Sequence, residues 1–486
     1  MSPPSKSSRP LVIASVMASM FMVAIEATIV STAMPLIVAQ LGGLQLYSWV
    51  FSSFLLTQTA LTVVFGKLAD LYGRKPVMLL GIAIFLVGSV LAGLAWSMPA
   101  MIVFRLIQGV GAGAMLPVAL TIVADLYPAR ERGKVQGYLA SVWVISAVVG
   151  PMVGGLIIRN LSWAWIFWIN IPIGLAAAAG FIAYLHENIR HEPRSIDIAG
   201  AVLFTIAIAS LMIALTSDDM LALLAAGLFC LSSALFVVQE RRASDPMVSF
   251  ALWSRRPIAA TNGVAVLSNM ALMGLTTFLP MYVQGVLHRS PVVAGLTLTM
   301  LLLGWPVAAT LASRVFQQFG LRPIMVVGSV LLPAGAIVFV LLTPESSPVT
   351  AALGSLVMGF GMGLVSMSSL VLIQEVVTRS QRGSATASTL FARNLGSTLG
   401  ATALGAVFNY GLAHAKGVGA ITSDQLRELL DAPPDTIASH KAVLAALQQS
   451  LHFTFWAMFV ISLTIVLLAL LVPAVAIRDV TETPAE

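Results

Sequence analysis

Of the 486 residues, only 9% are charged and 58% are hydrophobic, and the formal net charge is +6. A soluble domain carries roughly 25% charged residues, so this composition cannot cover a water-exposed surface and excludes a soluble enzyme. The single cysteine, Cys230, excludes a disulfide framework, and the six histidines are scattered, so no metal site is predicted. The basic residues lie in short breaks between apolar stretches, so a nucleic-acid partner is not expected.

Fourteen apolar stretches are long enough to cross a bilayer, which takes about 20 residues. They cover 11–34, 46–66, 77–97, 100–124, 135–158, 164–185, 196–215, 220–239, 257–286, 292–315, 322–342, 349–374, 384–411 and 450–477. Most Lys and Arg residues fall in the breaks on the side of the N-terminus. Because such residues favour the cytoplasmic side, the pattern predicts a multi-pass protein of the plasma (inner) membrane with both termini in the cytoplasm. The lipid bilayer is therefore its first partner.

One long connection, residues 412–449, falls on the external side of this topology. It contains the segment DQLRELLDAPPD and a mildly amphipathic run. We interpret it as a solvated loop with a short surface helix; the alternative is an element that docks a partner.

Two parts of the chain repeat each other. The segment GKLADLYGRKP at 66–76 matches SRVFQQFGLRP at 313–323 in its Gly-x-x-Pro and basic positions, 247 residues apart. An offset of 250 residues aligns further glycines: Gly109 with Gly359, Gly111 with Gly361, Gly113 with Gly363 and Gly150 with Gly400. The second stretch thus corresponds to the tenth, a displacement of eight stretches, which indicates two six-helix halves separated by an inserted pair.

The predicted fold class is therefore an all-α polytopic membrane protein with fourteen transmembrane helices. Residues 1–188 form the first six-helix bundle, 189–256 the inserted pair with its flanking cytoplasmic loops, and 257–486 the second bundle with the external loop 412–449. Two related halves with a site near the bilayer midplane are typical of alternating-access transport.

The 66–76 segment lies in a cytoplasmic turn and has the residues of a gate. Gly73 suits a tight turn, and Asp70 can pair with Arg74, pair with a neighbouring basic loop, or lie at a helix N-terminus, where the helix dipole favours an anion. Such a cluster could close in one conformation and open in another; the alternative is a turn that only carries positive charge. The candidate gate residues here are Gly66, Asp70, Gly73, Arg74 and Lys75.

The 66–76 segment resembles the loop signature of the major facilitator superfamily. RLIQGVGAG (105–113) is similar to the arginine-bearing motif of that superfamily, and SAVVGPMVGG (146–155) is similar to the Gly-Pro motif of its antiporter branches. ATIVSTAMP (27–35), WIFWINIPIG (165–174) and RNLGSTLG (393–400) resemble the fourteen-spanner drug:proton antiporter family. The resemblance implies the major facilitator fold. The chain departs from the family pattern at Glu26, where many relatives carry Asp, and at Ala164, where Arg is usual.

Glu26 lies near the middle of the first stretch, where a carboxylate is costly unless it is paired or protonated. Burial opposes ionisation and a nearby cation favours it, so this carboxyl could load and release a proton. Arg105 in the fourth stretch is the candidate partner, although the sequence does not show whether the two touch. The alternatives are a structural acid bonded to neighbouring helices and an arginine that reaches to the membrane interface.

The antiporter-type motif in the fifth stretch combines Gly150, Pro151, Gly154 and Gly155. It removes a backbone hydrogen bond and side-chain bulk, which permits a kink and close helix contact; the alternative is ordinary small-residue packing. Arg393 in the thirteenth stretch could bind the gate or only anchor the membrane interface.

Polar residues on spanning helices usually face the bundle interior, and five residues are therefore candidates for a substrate cavity. They are Asn262, Asn269, Gln284, Trp305 and Asn394. No phosphate-binding Gly-Lys-Ser/Thr loop and no catalytic triad is apparent, so we predict no enzyme activity, no cofactor and no direct use of ATP. The mid-membrane acid Glu26 and the resemblance of the Gly-Pro motif to that of antiporters instead predict a proton gradient as the energy source.

The resemblance implies a proton-coupled exporter of small amphipathic or cationic drugs that works by alternating access, with protons and a small-molecule substrate as partners. A periplasmic adaptor protein is a further partner if the host has an outer membrane. Two alternatives stay open: the same fold exporting a siderophore, lipid or metabolite, and a membrane sensor or scaffold that transports nothing.

Overall fold

The computed structural model describes residues 8–127, 129–187, 197–217, 219–243, 246, 250–377, 382–414, 425 and 441–473. In these ranges the regular structure is helical and consists of sixteen α-helices and a short 3-10 turn at Leu44–Leu46. The helices are α1 (Arg9–Leu41), α2 (Tyr47–Tyr72), α3 (Arg74–Gly93), α4 (Met98–Leu126), α5 (Ala129–Asn160), α6 (Trp165–Trp168), α7 (Asn170–Tyr184), α8 (Ile198–Thr216), α9 (Asp219–Arg242), α10 (Phe250–Trp253), α11 (Arg256–Gly285), α12 (Pro291–Phe319), α13 (Leu321–Val340), α14 (Pro348–Glu375), α15 (Arg382–Ala413) and α16 (Lys441–Leu471).

Twelve helical segments in the described part of the chain are long and apolar enough to cross a membrane, and α2 makes a thirteenth if its 44° bend is counted within one span. This confirms the all-α polytopic fold. The predicted count of fourteen is not confirmed, because α15 is not among these segments. This helix is 32 residues long but rich in Gly, Ser and Thr, so it is less apolar than the twelve segments counted.

The chain divides into two compact units. Unit 1 comprises Met1–Met247, Pro280–Leu296 and Leu412–Leu447; unit 2 comprises Val248–Leu279, Thr297–Gly411 and Gln448–Glu486. In unit 1, α8 packs against α9 and also against α2. The predicted boundaries at 188 and 256 stay a prediction.

The core of unit 1 is an apolar cluster that includes Met22, Phe85 and Phe181. Within it α4 packs between α2 and α3. A methyl group at Gly109 would overlap the backbone of α2, and one at Gly111 would overlap the backbone of α3. Small residues therefore let three helix backbones approach closely, as is usual in membrane bundles.

Unit 2 uses the same packing. A methyl group at Gly359 of α14 would overlap the backbone of α12, and one at Gly361 would overlap the backbone of α13. The sequence repeat is thus also a repeat of helix contacts, with α14 between α12 and α13 as α4 lies between α2 and α3.

The turns before α3 and α13 also match in backbone conformation. Gly73 has φ = 96° and Gly320 has φ = 82°, values that residues with a Cβ rarely adopt. Each glycine ends one helix and precedes the next directly, so the two turns of the repeat are built alike.

Candidate functional site

Glu26 lies in the middle of α1 and is completely buried, with 0% exposure. Its Oε1 atom accepts a hydrogen bond from Nη1 of Arg105 on α4, and the two side chains form an ion pair. Arg105 is only 2% exposed, so it does not reach to the membrane interface. The structure thus brings together the two residues whose contact the sequence left open.

Three further side chains join this pair in a buried network. Gln108, one turn after Arg105, accepts a 2.6 Å hydrogen bond from Arg105 Nη1 and donates a 2.9 Å bond to Ser89 on α3. Asn170, the first residue of α7, donates a 2.8 Å bond to the second carboxylate oxygen of Glu26, Oε2. The network therefore joins α1, α3, α4 and α7.

The α2 helix supplies the remaining surroundings of Arg105. Its Nε atom donates a 3.2 Å hydrogen bond to the carbonyl oxygen of Val50, and its guanidinium lies 4.3 Å from the ring centroid of Phe54, a distance at which the ring face attracts a cation. Removing one member of a buried ion pair costs about 3–5 kcal/mol, because the other charge is left uncompensated. A change of charge at Glu26 therefore directly changes the electrostatic energy of Arg105.

The network could have been found more completely from the sequence. Gln108 lies in RLIQGVGAG and Asn170 in WIFWINIPIG, and both are polar residues in otherwise apolar stretches. An amide without a hydrogen-bond partner is costly in a membrane, and this cost marks both residues as candidates for a buried network. Their partners could not be inferred, because Asn170 and Glu26 are 144 residues apart.

The fifth-stretch motif packs α5 against α1 close to this network. A methyl group at Gly150 would overlap Thr28, and one at Gly154 would overlap Thr32 and Ile29. Thr28 Oγ1 also donates a 3.2 Å hydrogen bond to the carbonyl oxygen of Ser146. Since Thr28 is two residues after Glu26, the contact between α5 and α1 bears directly on the position of the acid.

A second face of the same motif contacts the segment 280–296 within unit 1. Gly155 lies against Val292, and Pro151 lies against Gly295. Pro151 is inside a continuous α5, so the motif here serves close packing on two sides of the helix.

At the turn between α2 and α3, Arg74 is surrounded by three carboxylates. Its Nε atom lies 3.0 Å from Asp125, its Nη2 atom 3.5 Å from Asp70 and its Nη1 atom 3.8 Å from Glu187. Asp70 therefore pairs with Arg74, one of the three arrangements that the sequence allowed. The sequence reasoning missed Asp125 and Glu187 in this cluster. Gly66 of α2 faces α4 without a clash.

The ends of α3 and α7 stabilise one another at this turn. The carboxylate of Glu187 accepts hydrogen bonds from the backbone N–H groups of Arg74 and Lys75, at 2.8 and 3.0 Å. In return, Lys75 Nζ donates to the carbonyl oxygens of Ile182 and Leu185, at 2.8 and 3.0 Å. An anion at a helix N-terminus and a cation at a C-terminus both match the helix dipole. Of the predicted gate residues, Arg74 and Lys75 thus bond to the end of α7, and Arg74 also pairs with Asp125 of α4.

Two candidates for a substrate cavity instead connect helices. Asn262 on α11 donates a 2.8 Å hydrogen bond to Ser388 on α15 and accepts one from Thr389 at 3.3 Å. Gln284 donates a 2.9 Å bond to the carbonyl oxygen of Thr32 on α1. Both amides are at most 6% exposed, so their bonds serve helix association.

The other three candidates and Arg393 belong to unit 2. The guanidinium of Arg393 lies over the ring of Trp305, 5.3 Å from its centroid, and both side chains are half-buried. Asn394 is also half-buried, and Asn269 donates to the carbonyl oxygen of Ala265 in its own helix. Among the described residues, no group of three His, Cys, Asp or Glu side chains could hold a metal ion.

Comparison with known proteins gives consistent results. The family model described as Major Facilitator Superfamily matches residues 16–401. "Multidrug transporter protein MdtP" of Bacillus subtilis (strain 168) is 32% identical over 448 residues, which cover 90% of this chain and 81% of the relative. "Multidrug resistance protein 3" of the same organism is 34% identical over 411 residues, covering 83% and 80%.

Among solved structures, the crystal structure of a bacterial homolog to the human lysosomal transporter Spinster, in an inward-facing and unoccupied conformation, superposes with a TM-score of 0.68. It is 15% identical, and the match covers 96% of this chain and 98% of that one. At this identity the likeness shows the fold alone.

Proposed function

Because the chain belongs to the Major Facilitator Superfamily, we propose that it is a proton-coupled secondary exporter of small amphipathic or cationic compounds, drugs included. It is a multi-pass membrane transporter and not an enzyme, and its relatives include multidrug transporters and efflux pumps. Within the superfamily we assign it to the fourteen-spanner drug:proton antiporters. In this assignment α15 is the fourteenth span, in addition to the segments that are long and apolar enough to cross a membrane. The proposal places it in the plasma (inner) membrane with both termini in the cytoplasm.

The observation that carries the proposal is the buried contact between Glu26 and Arg105. In its ionised state the carboxylate is matched by one cation and by the amide of Asn170. When Glu26 binds a proton, Arg105 loses its counter-charge but keeps its bonds to Gln108 and Val50. The site therefore has partners for both charge states, as a proton carrier requires.

In the proposed cycle, Glu26 takes a proton from outside as the cargo leaves and releases it inside as new cargo binds. The energy comes from the proton gradient, with no cofactor. The cluster around Arg74 acts as the cytoplasmic gate, because its ion pairs can form in one conformation and separate in the other. A periplasmic adaptor remains a partner to seek if the host has an outer membrane.

The charge balance at Glu26 also bears on the cargo. Since Arg105 compensates the carboxylate, this site offers no free negative charge to a cation. The geometry therefore supports an amphipathic cargo better than a strictly cationic one, and the cationic preference depends on the family resemblance alone.

The test uses purified protein in proteoliposomes with an inward proton gradient and a panel of fluorescent dyes. We expect wild type to exchange dye for protons, and Glu26→Gln to bind dye while losing the proton counterflow. Glu345→Gln, which changes an exposed acid between α13 and α14, is the matched control. If Glu26→Gln still exchanges dye for protons at the normal rate, the assignment of coupling to Glu26 is wrong.

The same assay separates the alternatives. A sensor or scaffold predicts no gradient-dependent flux of any compound. An exporter of a siderophore, lipid or metabolite predicts flux without drug resistance, and a deletion strain compared with its parent in drug sensitivity and metabolite content decides between the cargoes.

A further inference from the structure

Arg393 is the one charged residue in the interior of the helices α11–α16. The other charged residues of these helices lie close to helix ends: Arg256, Arg314, Arg322, Glu375, Arg382 and Lys441. Arg393 comes eleven residues after the start of α15, about 16 Å along the helix at 1.5 Å per residue. It therefore lies in the interior of this 32-residue helix and not at one of its ends.

The two arginines in the interior of α4 and α15, Arg105 and Arg393, have different surroundings. Arg105 has a carboxylate, an amide oxygen and a backbone carbonyl as acceptors, and it stacks on Phe54. Arg393 likewise stacks on an aromatic ring, that of Trp305. Within the part of the chain that the structure describes, however, no oxygen atom accepts a hydrogen bond from Arg393.

Unit 2 does not provide a counter-charge for Arg393 in its membrane helices. The only acid on α11–α16 is Glu375, the last residue of α14. A guanidinium without a partner in the membrane interior is costly, and such residues usually mark a path for a substrate or an ion. Because Arg393 and Trp305 are half-buried, a ligand can still reach them.

From this contrast we propose that Arg393 and Trp305 bind the acidic group of the cargo, so that the preferred substrates are small amphipathic anions with an apolar, aromatic body. The planar guanidinium fork fits a carboxylate, and the indole face offers an apolar surface beside it. This inference rests on the proposed transport function and names the substrate class. A lipid phosphate is a poor alternative, since headgroups lie at the membrane surface and Arg393 lies eleven residues inside α15.

The repeat supports a division of tasks between the two halves. At the offset of 250 residues, the position that corresponds to Arg393 is Trp143 of α5. Conversely, the acid to which we assign proton binding, Glu26, lies in unit 1, and the described helices of unit 2 have no acid in their interior. In this proposal the proton binds in unit 1 and the charged group of the cargo binds in unit 2.

The charge balance of the cycle follows. If one proton enters at Glu26 for each monoanion that leaves, two net positive charges move inward per cycle. An inside-negative membrane potential therefore accelerates export of an anion. The same exchange with a monovalent cation moves no net charge and is insensitive to the potential.

The first experiment is equilibrium binding to the purified full chain in lipid-free detergent. The probes are 1-pyrenebutyrate, its neutral methyl ester and the cation ethidium. We expect wild type to bind the acid at least about tenfold more tightly than the ester, as a charge-assisted hydrogen bond implies. Arg393→Gln should abolish this difference, and Arg393→Lys should keep part of it. Arg159→Gln, at the exposed outer end of α5, should bind like wild type.

Two results would overturn the proposal: equal binding of acid and ester by wild type, or equal weakening of acid, ester and ethidium by Arg393→Gln. The latter would assign Arg393 to the gate or to structure. If Arg393→Gln does not give a monodisperse protein, Arg393→Lys and Trp305→Leu decide by the same ratio of acid to ester binding.

A flux experiment separates this inference from the proposed function. Export of 1-pyrenebutyrate from wild-type proteoliposomes should rise several-fold with an inside-negative potential, and that of ethidium should not. Binding of the acid without proton-driven flux would contradict the transport proposal and leave the site intact. Proton-driven ethidium flux without any preference for the acid over its ester would contradict the site and leave the transport proposal intact.

Discussion

The side-chain amide of Asn170 donates a 2.8 Å hydrogen bond to Glu26 Oε2, the carboxylate oxygen that Arg105 does not bind. Each oxygen of the buried acid thus has its own donor, one neutral and one charged. Asn170 is therefore a positioning residue, which holds the plane of the carboxylate to which we assign proton exchange.

Replacing Asn170 with Ala leaves Glu26 Oε2 without this donor. An unmatched buried acceptor costs about 1–3 kcal/mol, so we expect proton-coupled dye exchange to slow about tenfold while dye binding at constant pH changes little. The measurement is exchange in proteoliposomes beside equilibrium binding in detergent. Asn160→Ala, at the exposed end of α5, should match wild type in both, and an Asn170→Ala protein with unchanged exchange would remove this residue from the mechanism.

The ion pair of Glu26 and Arg105 is tested by a double-mutant cycle. Arg105→Met leaves a buried carboxylate unpaired and should destabilise the protein by about 3–5 kcal/mol. Adding Glu26→Gln removes the orphaned charge, so the double variant should regain most of the lost thermal stability. The readout is the midpoint of thermal unfolding in detergent. Additive losses in the double variant would mean that the two groups do not interact.

The cluster at the α2–α3 turn should depend on salt. Arg74→Gln leaves the carboxylates of Asp70, Asp125 and Glu187 near one another without their shared cation. Because these side chains are partly exposed, salt screens their repulsion. We expect transport to fall several-fold at low ionic strength and to recover partly at high ionic strength. Arg241→Gln, at the exposed end of α9, is the control, and a loss that does not vary with salt would argue against a role of electrostatic repulsion.

The close contacts of the repeat make a further prediction. Gly111→Ala would place a methyl group against the backbone of Phe85, and Gly361→Ala would place one 2.7 Å from the carbonyl oxygen of Gly328. Both should lower stability by about 1–3 kcal/mol through overpacking. Gly227→Ala has no neighbouring atom within 4 Å and should be neutral or stabilising by up to about 1 kcal/mol. Thermal unfolding compares all three, and equal midpoints would refute the packing argument.

His288, in the connection between α11 and α12, predicts a pH effect on stability. Burial lowers the pKa of this imidazole, so the folded protein favours its neutral form. The stability that this contributes is present above the unfolded pKa of about 6.5 and is lost as the pH falls below it. His288→Asn should reduce the loss of thermal stability between pH 7.5 and pH 5.5, and Asn tolerates the positive φ of 49° at this position. An identical pH dependence in both proteins would count against this role.

Much of the site was visible in the sequence because polar residues stand out in apolar stretches. Glu26 and Arg105 were recognised in this way, and the cost of burying them made each a candidate partner of the other. Gln108 and Asn170 have the same signal but were passed over, since an amide can be satisfied by its own helix or by a neighbour. The sequence does not distinguish these cases.

The candidates for the substrate cavity show the limit of such reasoning. Asn262 and Gln284 are polar and face other helices, as expected, but their amides bond Ser388 and the carbonyl oxygen of Thr32. Likewise, Asp125 and Glu187 join Arg74 from 51 and 113 residues away. The direction of a polar side chain could be expected, whereas its partner depends on how the helices pack.

By itself the sequence determined that this is an all-helical membrane protein with an internal repeat, because the hydrophobic effect acts on every apolar stretch locally. It also determined that the turns at Gly73 and Gly320 are alike, since backbone sterics are local too. Only the tertiary structure decided that Glu26 binds Arg105 and Asn170 and that Arg393 stacks on Trp305. The physical reason is that hydrogen bonds and ion pairs act over a few ångströms, so their partners are determined by helix packing and not by distance along the chain.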